Sequence, residues 1–203
     1  ARLPTVLEWL EAAKPDVACL QEIKCVDGNF PREAFESLGY NVETHGQKSY
    51  NGVALLSKYP LSEIRRGLPG DDTDEQARYI EALVECPRPV RVGAIYLPNG
   101  NPLGTEKFAY KLAWFARLQA HAKALLGLEE SLALCGDYNV IPMPEDARDP
   151  AAWTDDALFQ PESRAALRAL KFLGLSDAHD LGNEPTGTYS FWDYQAGAWQ
   201  RDH

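Results

Sequence analysis

Tyr79-Ile80-Glu81-Ala82-Leu83-Val84-Glu85-Cys86-Pro87-Arg88-Pro89-Val90-Arg91-Val92-Gly93-Ala94-Ile95-Tyr96 reads as two strands joined by a turn. Both arms are short and rich in β-branched, aromatic and aliphatic residues. Cys86-Pro87-Arg88-Pro89 interrupts them with two prolines, which fix φ and remove backbone donors. Upstream, Asp16 to Leu20 reads as a buried strand and Tyr40 to Thr44 alternates as another. Gly52 to Leu56 is a further apolar strand, with Leu61 to Arg65 as its expected partner. Strands therefore follow one another without a helix between each. That order favours mixed, mostly antiparallel pairing over a doubly wound parallel sheet. Two sheets packed face to face, with helices outside, accommodate the strand count.

Helices bracket these strands. Leu3, Val6, Leu7, Trp9 and Leu10 form an apolar face that ends near Ala13-Lys14, before Pro15. Pro31 to Leu38 is a short helix with proline in its first turn. Thr105 to Leu126 is the longest helical pattern, with Phe108, Leu112, Phe115, Leu118 and Leu125 on one face and Gly127 as its expected C-cap. His121 falls within it and reads as an ordinary, partly exposed residue; His45 and His179 show no metal-ligand spacing. Glu162 to Phe172 is a second clear helix, stopped by Gly174. Thr188 to Tyr194 is aromatic and strand-like. The 203 residues fit one domain, with no internal repeat or linker.

The formal net charge is −10. An acidic balance alone disfavours a phosphate partner. A hydrolase that holds a divalent cation needs clustered carboxylates, however, so the balance does not exclude nucleic acid. Four cysteines, at 19, 25, 86 and 135, lack zinc or redox spacing. Cys19 and Cys135 read as small core residues. A reduced, cytoplasmic setting is expected, with no signal peptide or membrane span.

Leu132-Ala133-Leu134 reads as a buried strand leading into Cys135-Gly136-Asp137-Tyr138-Asn139. A carboxylate and an amide two residues apart face the same side of a strand. Gly136 removes a side chain where a ligand would approach. An aspartate that takes a proton, beside an asparagine that donates and accepts hydrogen bonds, suits a water held for attack. An Asp-containing turn after a strand is the equal alternative. Glu22, at the end of Leu20-Gln21-Glu22, is a hard oxygen ligand at a rigid strand end. Taken alone it is better read as a surface carboxylate beside Lys24. Tyr96, before Leu97-Pro98-Asn99, could serve a developing oxyanion; alone, it is better read as a half-buried residue before a turn. Phe191-Trp192 suits core packing or base stacking. Polar groups after three separate strands favour a shared site, because strand ends converge at a sheet edge.

Leu20-Gln21-Glu22-Ile23-Lys24, Tyr50-Asn51-Gly52-Val53-Ala54, Tyr96-Leu97-Pro98-Asn99, Gly136-Asp137-Tyr138-Asn139 and Phe191-Trp192-Asp193-Tyr194 occur in one order. In that order the chain resembles the exonuclease III/AP endonuclease family, within the endonuclease/exonuclease/phosphatase superfamily. The resemblance spans nearly the whole sequence. It implies a four-layer α/β sandwich and Mg²⁺-dependent hydrolysis of DNA phosphodiesters, with Mn²⁺ as the alternative ion. Incision 5′ to abasic sites and 3′→5′ exonuclease action on double-stranded DNA are expected, by a monomer. By resemblance Glu22 matches the metal ligand. Asp137 matches the residue that orients or deprotonates water, Asn139 its amide partner, and Tyr96 the tyrosine near the scissile phosphate. Lys24, Asn51 and Asn99 fall in motifs expected on the DNA side. Phe191 and Trp192 resemble the aromatics lining the abasic-sugar pocket. The family's opening Trp-Asn strand and its closing Arg-x-Asp and Ser-Asp-His segments are not in the sequence. One domain over residues 1–203, incomplete at both termini, is therefore expected, carrying part of an active site. Asp202-His203 is not assigned to catalysis. Two other readings remain open: a superfamily phosphatase or phosphodiesterase acting on other esters, and a catalytically silent DNA-binding module.

Overall fold

The computed structural model describes residues 2–182 and 189–191. Helix α1 (Leu3–Ala13) leads into β1 (Val17–Gln21), α2 (Arg32–Glu36), β2 (Asn41–His45), β3 (Val53–Ser57), β4 (Leu61–Arg66), β5 (Tyr79–Val84) and β6 (Val90–Tyr96). Helix α3 (Glu106–Leu126), β7 (Ser131–Asp137), α4 (Pro161–Lys171) and α5 (Ala178–Leu181) follow. By contact density the chain divides into two compact units, Ala1–Leu97 with Ala120–Tyr138, and Pro98–Gln119 with Asn139–His203.

The first unit holds both sheets. One is ordered β1-β3-β2 and is antiparallel throughout. The other is ordered β4-β5-β6-β7, antiparallel except for the parallel β6–β7 pair. Successive side chains of a strand point to opposite faces, and β3 uses both. Val53 and Leu55 pack against Ile80, Ala82, Val84, Val92 and Ala94, closing the two sheets face to face. Ala54 and Leu56 pack the other way, against Leu10 of α1 and Phe35 of α2. All five β3 residues are buried, which is why the strand reads as an unbroken apolar run. The fourth layer is the C-terminal half of α3, where the His121 ring meets Tyr79 edge-on at a centroid separation of 5.6 Å. The four-layer α/β sandwich implied by the sequence is thus the observed architecture.

Several local readings change. β4 does not pair with β3. Both edges of β3 are taken, by β1 and β2, so the chain passes through Lys58-Tyr59-Pro60 to the other sheet, where β4 pairs with β5. β7 is half-exposed, not buried, because it is an end strand among the described residues. β1 is likewise buried only at Ala18. Gly127 does not adopt the left-handed C-cap; that conformation falls at Glu129, φ 57°, after an extra turn.

His121 is partly exposed as expected, at 10% of its side chain, but it is not an ordinary surface imidazole. Its Nε2 lies 2.7 Å from a Glu81 carboxylate oxygen, and the Tyr79 hydroxyl donates to the same oxygen at 2.5 Å. A carboxylate can only accept, so the imidazole N–H donates. Cys135 is exposed and Cys19 half-buried. Interaction with the Cys19 thiol draws the Cys135 thiol down to about 7 and pushes Cys19 up.

Candidate active site

In the first unit the site grows from three strand ends. Glu22 is the first residue beyond β1 and adopts φ 53°. Lys24 repeats that conformation, so the connection curls back on itself. It is clipped there by Ile23 N donating to Gly52 O at 3.2 Å and Lys24 N donating to Asn51 O at 3.0 Å. Gly52 is required at that clip: a Cβ would stand 2.5 Å from Ile23 Cγ1, and φ is 86°. Asn51, at φ 49°, donates through Nδ2 to Gln47 Oε1 at 2.9 Å. Left-handed backbone at non-glycine residues costs roughly 1–2 kcal/mol each. Glu22, Lys24 and Asn51 are three of eight such residues among those described.

Tyr96 ends β6 and stands opposite Asp137, the last residue of β7. Leu97 N donates to Asp137 O at 2.8 Å, so the two strand ends remain joined one residue further. The Tyr96 hydroxyl and the Glu22 carboxylate are near enough to shift each other's ionisation. Burial, then the Glu22 charge and hydrogen bond, push the Tyr96 phenol up to about 12; nearby Arg78 opposes the shift and Asp137 adds to it. Burial also acts to raise the Glu22 carboxyl. Hydrogen bonds from Lys24 and Tyr96, with the charges of Lys24 and Arg2, outweigh it and hold Glu22 below the usual carboxylate range. Glu22 is thus an anion, Tyr96 is a protonated donor, and the charge of Asp137 reaches the same phenol. The strands gather what the sequence separates.

Arg78 was not singled out by sequence reasoning. Its guanidinium carbon sits 4.8 Å from the Tyr96 ring centroid and its Nη1 donates to Tyr96 O at 3.3 Å. Gln76 Oε1 accepts from Arg78 Nε at 2.7 Å. The Gln76-Ala77-Arg78 run before β5 carried no period or turn signal that would have marked it.

The Lys24 ammonium rests 2.6 Å from a Glu22 oxygen, with 43% of the Glu22 side chain exposed. The carboxylate therefore already receives a cation, and its hard oxygens suit a divalent ion. No group of three or more His, Cys, Asp or Glu side chains able to hold a metal occurs among the described residues. One carboxylate is enough for the Mg²⁺ mode of binding, in which waters and substrate phosphate complete the shell.

The second unit carries the amides. Asn139 adopts φ 47°, so the alternation that would align it with Asp137 does not extend past the strand. Its Oδ1 accepts from Asn99 Nδ2 at 3.2 Å. The Asn139 main-chain oxygen accepts from Lys111 Nζ at 2.5 Å, and the Asn99 oxygen does so at 3.0 Å. Phe191 is exposed, at 65%. Trp192 lies outside the described residues. Gly136 has a different purpose from the one expected. A Cβ there would stand 2.0 Å from Ile95 O, so the residue serves the close approach of β7 to β6 rather than a ligand.

A polar end of a four-layer sandwich that carries an anionic carboxylate and a neighbouring guanidinium suits a phosphate ester and a hard cation. The model of the Endonuclease/Exonuclease/phosphatase family matches residues 2–203, and the chain belongs to that family. It is 36% identical over 200 residues to exodeoxyribonuclease III of Haemophilus influenzae, covering 92% of this chain and 73% of that protein. An AP endonuclease structure from Archaeoglobus fulgidus superposes with a TM-score of 0.88 at 33% identity, covering 98% of this chain and 77% of that one. A Neisseria 3′ phosphatase bound to a product DNA hairpin superposes at 0.92 with 34% identity, covering 99% and 77%.

Proposed function

We propose that this protein is a DNA-repair nuclease that hydrolyses DNA phosphodiesters with a divalent cation, Mg²⁺ or alternatively Mn²⁺. It incises double-stranded DNA 5′ to abasic sites and removes nucleotides from 3′ ends. The observation that carries the reading is Tyr96 standing opposite Asp137 at paired strand ends, with its hydroxyl under the influence of the Glu22 charge. Kinship with exodeoxyribonuclease III and an AP endonuclease supports it. The active domain in this reading takes in residues 1–203, and the protein acts as a cytoplasmic monomer.

Glu22 would hold the cation, which when bound supplies positive charge at the phosphate and its leaving oxygen. Tyr96 stays protonated at neutral pH and donates to a phosphate oxygen as charge develops there. Arg78, stacked on the Tyr96 ring, presents a fixed guanidinium to the same anion. Asp137 takes the proton of the attacking water. Asn139 and Asn99 orient polar groups of water and substrate through their amides. Lys24 and Asn51 line the DNA side, and Phe191 with Trp192 accept the abasic sugar.

The test uses the full-length protein and an end-labelled duplex bearing one abasic site. Mg²⁺-dependent appearance of a single product ending 5′ to the site is expected, abolished by chelation. Intact duplex, with turnover of inositol phosphates or sphingomyelin instead, refutes the DNA assignment. Binding of the lesion without any cleavage would point to a silent module. Likeness to the Neisseria 3′ phosphatase favours a second activity, release of phosphate from 3′-phosphorylated ends. A 3′-phosphate primer in the same assay measures it.

A further inference from the structure

We propose that Lys111 is a positioning residue that sets the Asn99 and Asn139 amides, a claim that rests on the nuclease reading above for its catalytic consequence. Lys111 lies in the second turn of α3 and is fully buried, at 0% exposure. Lysine is almost never fully buried unless its ammonium is engaged. Here Nζ donates to Asn99 O at 3.0 Å and to Asn139 O at 2.5 Å. Those two carbonyls belong to connections 40 residues apart in sequence. One ammonium therefore ties together the backbone that follows β6 and the backbone that follows β7.

The side chains on those two residues meet each other, Asn99 Nδ2 donating to Asn139 Oδ1 at 3.2 Å. By gripping main-chain oxygens, Lys111 fixes where both amides start without using either amide group. Gly100 makes room for its stem. A Cβ on Gly100 would stand 2.7 Å from Lys111 Cδ and 3.1 Å from Ala157 Cβ, and φ is 91°. A buried ammonium is expensive to desolvate, and a hydrophobic side chain of similar length would fill the space more cheaply. What lysine adds is a pair of directed donors. Anchored on a 21-residue helix, these hold the loops more closely than the loops hold themselves.

The experiment compares full-length wild type, Lys111→Met and Gly100→Ala. Methionine keeps the stem and removes the ammonium; alanine keeps the ammonium and pushes on the stem. Single-turnover incision is measured per folded molecule, with the folded fraction read from a thermal melt. Lys111→Met is expected to lower kcat on the order of 10²-fold, the loss associated with a misplacement of about 1 Å, with KM within about twofold. Gly100→Ala is expected to fall between, and carries the test if Lys111→Met does not fold. An unchanged rate per folded molecule in the folded variants overturns the proposal. The Asn99 and Asn139 side-chain amide NMR signals provide the readout that needs no activity. They shift in the variants if Lys111 positions them, and unmoved signals overturn the claim. Wild type that cuts no DNA refutes the nuclease reading alone, and the amide signals then decide the positioning.

Discussion

The first unit carries the same chemical pair twice, a tyrosine hydroxyl beside a glutamate carboxylate. Tyr96 meets Glu22 at the strand ends, and Tyr79 meets Glu81 under α3. Both carboxyls are held below their usual range and both phenols are raised. Exposure separates them: 43% of the Glu22 side chain is accessible, against 4% of Glu81. The second cation-capable partner differs as well. Glu22 faces Lys24, which is more than half exposed, whereas Glu81 faces the largely buried His121 at 2.7 Å and is reached only at 3.4 Å by the exposed Arg65. A perturbed carboxylate therefore does not by itself mark an active site. The exposed pair is open to solvent, whereas the buried pair pins a helix to a sheet.

The comparison breaks most sharply at Glu81. Glu81→Ala should destabilise the fold by about 3–5 kcal/mol, the usual loss on removing one partner of a buried pair. Urea unfolding measures it, and incision per folded molecule should not change. The pH dependence has a fixed sign. Burial acts to raise Glu81, but donation from His121 and Tyr79, with the charges of His121 and Arg65, outweighs it and leaves the folded value below the ordinary 4.5. The contribution is therefore fully present above pH 4.5 and is lost as pH falls through the lower, folded value. Acid unfolding of wild type and Glu81→Gln should converge there. Divergence that widens on acidification would contradict the assignment.

The tyrosines sharpen the contrast. Tyr79→Phe leaves Glu81 buried without one donor, a loss of about 1.5–3 kcal/mol in stability with no kinetic change. Tyr96→Phe should do the opposite: a melt close to wild type and a lowered kcat. Equal effects of the two on both measurements would erase the distinction. Smallest of all is Lys24→Met, which removes an exposed ion pair worth at most about 1 kcal/mol. Thermal melts at low and high salt should barely separate it from wild type.

Local patterns carried much of this molecule. The apolar arms around Cys86-Pro87-Arg88-Pro89 became β5 and β6, and the Thr105–Leu126 periodicity became α3 within one residue. The placement of Glu22, Tyr96 and Asp137 at or just past strand ends was legible, because strand ends are recognisable. Choices made by distant neighbours were not legible. β4 looked like the partner of β3 because nothing local says that both edges of β3 are occupied. Gly136 looked like a ligand contact because the oxygen it must avoid, that of Ile95, lies on another strand. Lys111 drew no notice and His121 read as an ordinary, partly exposed residue, since a helix pattern cannot announce which polar side chain will find buried partners. Cys19 and Cys135 meet only once the two sheets have packed.

The most direct test is single-turnover incision of an abasic duplex by the full-length protein carrying Glu22→Gln, Asp137→Asn or both. Convergence on Tyr96 predicts that each single change costs roughly 10²–10³-fold. It also predicts that the double variant loses far less than the product of the two, because groups acting as one unit are not additive. Near-normal incision by either single variant, with melts matching wild type, would contradict the account.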